Sequence, residues 1–299
     1  MAIHPLESQS IERRRSIRIR RSSLLKVNLD NIDRPNLKLA EEREDFEQSF
    51  SLVHQEYVKA GYLEPTATVP LHFTIYSLLP QTTTFLFREY LQVISTVTQV
   101  MDSKLFGLPM DVLYRRELDK LRAQRRKVAE ISALATHSAN RWECLFIYLS
   151  RAILRYSMHA GVNDLCIMVN PKHVAFYKTI FLFEDMGAER YYPEVDAPAV
   201  ALRLNLDNLA RRSQQAYNGY DFESDLNAFF CGSTPKPQQP IESRCLPRRK
   251  IMPPEVINHF FQLKPRLWDA LSASQERFLT AFYPSLPGSL RPVGFSRLQ

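Results

Sequence analysis

One carboxylate stands inside an otherwise apolar run: Glu130, in VAEISALA from Val128 to Ala135. A short apolar run with β-branched members reads as a buried strand. Burial pushes a carboxyl towards neutral pH, where it serves as a general base. The competing reading is a strand Glu paired with Arg125 or Arg126. Further on, Asn170 precedes Pro171. This pair is a helix start, because the Asn side chain can satisfy a free backbone N–H while Pro fills the first helical position without losing a bond. Tyr177 falls within that helix, where its plain reading is a core aromatic. The segment THSANRWE between Thr136 and Glu143 contains no glycine and offers Ser138, Asn140 and Arg141 as polar groups. His137 has no Cys or His at metal-ligand spacing, and the four cysteines lack any CxxC pattern, so no metal site is expected.

The elements that must position these residues can be read around them. Glu143 to Ala160 carries Leu145, Leu149, Ile153 and Tyr156 at the spacing of one helical face, and Gly161 supplies a stop. Leu165 to Val169 is a fully apolar second strand. Two strands joined by one helical crossover are parallel neighbours. Glu130 is thereby placed mid-strand beside a helix N-terminus.

The runs AEISALA and VNPKHVAFYKTIFLFEDMGAERYYPEVDAPAVALRLNL resemble the long-chain N-acyl amino acid synthases, the FeeM-like family of GNAT-fold acyltransferases related to the autoinducer synthases. The likeness covers residues 40 to 206. It implies an α+β fold, a GNAT-like mixed sheet flanked by helices, here with a helical C-terminal extension. It also implies an enzyme that moves a long-chain acyl group onto the amine of an amino acid. By that resemblance Glu130 is the base, and Tyr177 sits where GNAT enzymes often keep the group that protonates the leaving thiolate. Relatives often carry an Arg three residues after the carboxylate; here that position is Ala133, and Arg141 is a conceivable substitute. GNAT enzymes usually wrap the pyrophosphate of coenzyme A in a Gly-rich loop, whose backbone N–H groups converge on the anion. A loop without glycine disfavours the nucleotide. It points instead to a phosphopantetheine thioester on acyl carrier protein, with acyl-CoA as the alternative and no bound cofactor. Candidate contacts to the donor are Ser138, Asn140, Arg141 and Asn170, the last also read as a helix cap. Two rival readings are a coenzyme-A-dependent transferase for another amine and a non-catalytic acyl- or partner-binding module.

The 299 residues suit one sizeable core with appendages. The net charge of +7 is unevenly spread: seven Lys/Arg against Glu7 and Glu12 lie within the first 26 residues, which leaves +2 for everything else. Residues 1–36 therefore read as a basic tail that cannot bury enough surface to fold alone. The tail is a candidate for an anionic membrane surface. Nucleic acid is not expected, because the arginines are not interleaved with aromatic residues. Without an apolar span or export signal the expected location is cytoplasmic, with peripheral attachment at the inner membrane face through the Arg cluster. Residues 37–206 form the expected catalytic domain. Within it, Glu41–Ala60 reads as a helix, as does part of 107–126. His72–Leu78, Thr83–Phe87, Leu91–Val100 and Val200–Leu206 read as strands. Residues 207–299 form a Pro-rich helical extension, with helices at Pro254–Leu263 and after a capping box of Ser272 and Gln275.

Overall fold

The computed structural model describes residues 36–65, 68–137, 142–217, 230–231 and 251–286. Among them runs a mixed sheet: β1 (Asn36–Leu39), β2 (Thr82–Glu89), β3 (Gln92–Met101), β4 (Val128–Thr136), β5 (Asp164–Val169), β6 (Glu184–Asp185), β7 (Arg190–Tyr192) and β8 (Ala197–Asn205), in the order β1-β2-β3-β4-β5-β8-β6 with β7 also on β8. Every pairing is antiparallel except β4 with β5. That one parallel pair follows from the helical crossover between its strands. The helices are α1 (Arg43–Lys59), α2 (Asp111–Ala123), α3 (Trp142–His159), α4 (Pro171–Ile180), α5 (Leu209–Tyr217), α6 (Pro254–Leu263), α7 (Arg266–Asp269) and α8 (Ala273–Phe282).

The period-2 alternation of the central strands sends side chains to two cores. On one face Phe85, Val97, Ala129, Leu165, Ile167, Leu202 and Leu204 pack against α3 and α4, through Phe146, Leu149, Ile153 and Ile180. The opposite face carries Leu86, Val93, Val100, Val128, Cys166 and Ala201, covered by α1, α2 and the C-terminal helices. Phe260 of α6 is fully buried, with its ring 5.1 Å from Phe50 and 5.1 Å from Phe73. Lys264 Nζ donates to Leu71 O at 2.9 Å. Burying a Phe is worth about 1.5–3 kcal/mol, so α6 shares the core of α1 and is no loose appendage. The Ser272–Gln275 capping box opens α8 as the sequence implies.

One predicted strand is absent. Within His72–Leu78 the chain is irregular and then forms a 3₁₀ turn, Ile75–Leu78. Its Thr, Phe and Ile content imitates a strand, but Thr74 and Ser77 cap each other's backbone in a capping box and Pro80 closes the turn. Local side-chain bonding outweighs β propensity here. The Asn36–Leu39 strand begins one residue inside the stretch assigned to the tail.

Candidate active site

The sheet opens in its middle. β4 and β5 pair only from Val128–Asp164 to Glu130–Cys166, although β4 runs on to Thr136 and β5 to Val169. A β-bulge drives the separation. Thr98 pairs with Ser132 and Thr96 with Ala135, so Ala133 and Leu134 together oppose Val97, and Ala133 takes the left-handed conformation, φ 50°. A bulge bends and twists its strand and leaves a residue out of the ladder. Exposure records the result: Val128 to Glu130 are buried, while Ile131 to Leu134, still in a central strand, are only half-buried. Met168 and Val169 across the gap are half-buried too. The β5-facing edge of β4 beyond Glu130 therefore has backbone groups without a strand partner, suited to meet an oxyanion.

Glu130 is the last residue before this gap. It is 2% exposed, and its Oε2 accepts the Met110 N–H at 2.8 Å. Met110 is the N-cap residue of α2, so the carboxyl lies at the positive end of a helix dipole. Two contacts hold α2 there. Tyr114, wholly buried, donates to Ala199 O at 2.7 Å, and its ring lies so close to Gly187 that a Cβ at that position would fall 2.6 Å from two ring carbons. Arg122 ties Asp102 at the end of β3 to Asp111 at the start of α2, at 2.8 and 2.6 Å.

The alternative ion pair is not formed. Arg126 bonds Asp164 and, at 2.8 Å, Asp207, and Glu130 has no cationic partner among the described residues. Burial pushes the Glu130 carboxyl up to about 8; the Met110 N–H opposes this and the Asp111 charge adds to it. A carboxyl in that range exchanges protons at physiological pH.

Three phenols that the sequence reading missed feel this charge, and a fourth, Tyr177, couples to the first of them. Tyr57 of α1 is pushed up to about 12 by burial, then by the charges of Tyr62 and Glu130. Tyr76, in the 3₁₀ turn, is raised by burial and by Asp111, Glu130 and Glu194. Tyr192 at the end of β7 is raised by burial and by its 2.6 Å bond to Glu194, with Glu130 and Tyr57 contributing. Tyr177 is raised by burial and by Tyr57. Tyr57 and Tyr177 are half-buried over their whole surfaces, yet their hydroxyl ends are enclosed. These tyrosines come from elements far apart in the chain, so no spacing betrays them. The available signal was Tyr192 within the YYPEVDAPAV run and Tyr57 at the end of an amphipathic helix.

Tyr177 touches the rings of Phe146, Phe176, Phe181 and Phe183 at 5.5 to 6.2 Å. It is thus a member of an aromatic wall. Asn170 caps α4, its side-chain oxygen accepting from Lys172 N at 3.2 Å. His173 is exposed on the same first turn. Ser138, Asn140 and Arg141 lie outside the described residues. Among the described residues no group of three His, Cys, Asp or Glu is placed to hold a metal ion. No described helix is long and apolar enough to cross a membrane.

The profile of the N-acyl amino acid synthase FeeM matches residues 48–205, more than half of the sequence. The chain belongs to the FeeM family. It is an acyltransferase of the GNAT fold. The structure of FeeM, an N-acyl amino acid synthase from uncultured soil microbes, is 26% identical to this chain, with a TM-score of 0.52 over 60% of this chain and 93% of that one. The acyl-homoserine lactone synthase LasI is 17% identical, with a TM-score of 0.45 over 62% and 96%. An acyl-CoA N-acyltransferase from Pseudomonas aeruginosa is 12% identical, with a TM-score of 0.39 over 56% and 98%. Comparison with curated proteins gives no match.

Proposed function

We propose that this enzyme transfers a long-chain acyl group from the phosphopantetheine thioester of acyl carrier protein to the amine of an amino acid. The observation that carries the reading is Glu130: a buried carboxyl without a cation, at the point where β4 leaves β5. In its ionised form Glu130 takes a proton from the acceptor ammonium, and the free amine attacks the thioester carbonyl. The tetrahedral oxyanion is met by the unpaired edge of β4. Glu130 passes the first proton to solvent; collapse then forms the amide and expels the thiolate, which takes the Tyr177 hydroxyl proton, and the amine's second proton is relayed back to restore the Tyr177 hydroxyl. Tyr57 and Tyr192 bound the space in which the acceptor would stand. The acyl chain lies against the half-buried Phe176 and Tyr177 of α4, aromatic surface that binds an alkyl chain by area burial.

The donor preference rests on the loop between Thr136 and Trp142, which has no glycine to let backbone wrap a pyrophosphate. Steady-state rates with acyl carrier protein and coenzyme A thioesters of one chain length, across a panel of amino acids, test the proposal. The carrier-protein thioester should be the better donor and an N-acyl amino acid the product. Faster turnover of the coenzyme A thioester, or acylation of amines other than amino acids, replaces this reading with that of a coenzyme-A-dependent transferase.

A further inference from the structure

A second concavity lies away from the cleft. It is an open groove of about 960 Å³ between α1, residues 68–71, the β2–β3 hairpin and α6, with His137 at one end. Its floor is apolar, with Leu52, Val69, Leu71, Val93 and Leu263. Its acidic members are Glu44, Glu47 and Glu89; no Lys or Arg lines it, although Glu47 meets His259 of the lining at 2.8 Å and Arg43 at 3.5 Å, and Glu44 meets Arg88 at 3.9 Å, pairs that an incoming arginine would have to share. Glu89 is exposed and has no ion pair among the described residues. The hairpin tip beside it presents Tyr90 at 95% and Leu91 at 75% exposure, the two most exposed large apolar side chains described. Tyr90 holds a left-handed backbone, φ 54°, which a non-glycine residue adopts at a cost. A protein that displays two bare apolar residues on a strained turn beside an acidic rim leaves a surface suited to an apolar and cationic partner.

The chain carries such a partner, and it starts in the right place. β1 pairs antiparallel with β2 in the register Asn36–Arg88, so the backbone enters β1 from the hairpin end, next to Glu89 and Tyr90. Arg13 to Arg21 reads RRRSIRIRR, with Ile17 and Ile19 set among six arginines. The fifteen residues from Ser22 to Asn36 span up to about 50 Å if extended, enough to bring the arginines onto the groove. Arginine suits this role because its guanidinium bonds carboxylates bidentately.

We infer that the groove between α1 and the β2–β3 hairpin is the docking site of the chain's own basic N-terminal segment, centred on Arg13–Arg21, with Glu44, Glu47 and Glu89 receiving the arginines and the apolar floor receiving Ile17 and Ile19. Part of the segment's positive charge is then paired within the chain, and the segment is withheld from other anions while docked.

The test uses the full chain with the photoreactive residue benzoylphenylalanine in place of Ile17. Irradiation at low salt should give an intramolecular crosslink to residues 44–55, 68–71 or 89–93, mapped by mass spectrometry. The crosslink yield should fall roughly tenfold in the E44Q/E47Q/E89Q variant, because three charge pairs of modest strength are lost together. It should also fall in 0.5 M salt, where screening removes exposed pairs. Circular dichroism and melting of the triple variant confirm that its fold is intact. Should that variant not fold, neutralising Arg14, Arg15, Arg18 and Arg20 to Gln reports the same loss from the segment's side. Crosslinks to other surfaces or only between molecules, or yields indifferent to both sets of substitutions, overturn the inference. So does crosslinking to lipid and not to the groove when phosphatidylglycerol vesicles are present, an outcome that assigns the segment to a membrane surface.

Discussion

Glu130 and Asp164 are buried carboxylates on neighbouring strands, 2% and 0% exposed, and the structure treats them in opposite ways. Asp164 stands at the closed end of the β4–β5 pair, opposite Val128, and is clasped by Arg126 and, at 2.6 Å, by Arg203. Glu130 stands two residues along, at the open end, and has a single backbone N–H for company. A buried carboxylate with two guanidinium partners fastens strands together. A buried carboxyl without a cation keeps its proton up to about 8 and can exchange it. The difference lies in the partners supplied, because the depth of burial is the same.

The strongest way to break this contrast is Glu130→Gln. It preserves shape and the acceptor for Met110 N–H, yet cannot take a proton, so kcat/KM should fall roughly 100-fold to 10,000-fold, with melting no lower than that of the parent. An enzyme that loses less than a few-fold leaves Glu130 outside the chemistry. Asp164→Asn should do the reverse. It leaves two arginines facing each other at the closed end, and we expect a loss of about 2–3 kcal/mol in urea unfolding, less than for a fully buried pair because both arginines reach solvent. The rate per folded molecule should hold.

Proton linkage sharpens the comparison. The ordinary value for Glu is 4.5 and the folded value is about 8, so the folded protein holds the extra proton between those limits. This contribution to stability is complete below pH 4.5 and is lost as pH rises through 8. The melting temperature of Glu130→Gln relative to the parent should therefore climb from pH 5 to pH 8 and level off above it. A constant difference would mean that Glu130 is ionised throughout. The smallest effect concerns the bulge: Ala133→Gly should relieve the left-handed alanine and raise stability by about 0.5–1 kcal/mol, read from denaturant midpoints. A loss instead would show that the alanine methyl packs usefully at the mouth of the cleft.

Much of the frame was legible in the sequence because hydrophobic period carries it. The crossover from β4 through α3 to β5, the Asn170–Pro171 start of α4, and the alternation of Val200 to Leu206 in β8 all follow from local pattern. The 3₁₀ turn at Ile75–Leu78 was misread because its composition is that of a strand and its capping is a side-chain effect. The bulge at Ala133 left no mark, since an alanine does what glycine usually announces. Within the site, Glu130 stood out as one charge in an apolar run. Its isolation from Arg125 and Arg126 did not, because which buried acid takes Arg126 depends on β5 and on Asp207 across the fold. Tyr57, Tyr76 and Tyr192 converge only once the sheet is assembled.

The seat of Phe260 between Phe50 and Phe73 bears on how the chain comes to be folded at all. Lys264 bonds a carbonyl 193 positions earlier. During synthesis the apolar face of α1 emerges long before α6 exists to cover it. Closing a loop of that length is slow, and apolar surface left uncovered meanwhile is prone to aggregate. The nascent chain therefore completes this core only after α6 leaves the ribosome, and removing α6 would leave Phe46, Phe50 and Phe73 open to water.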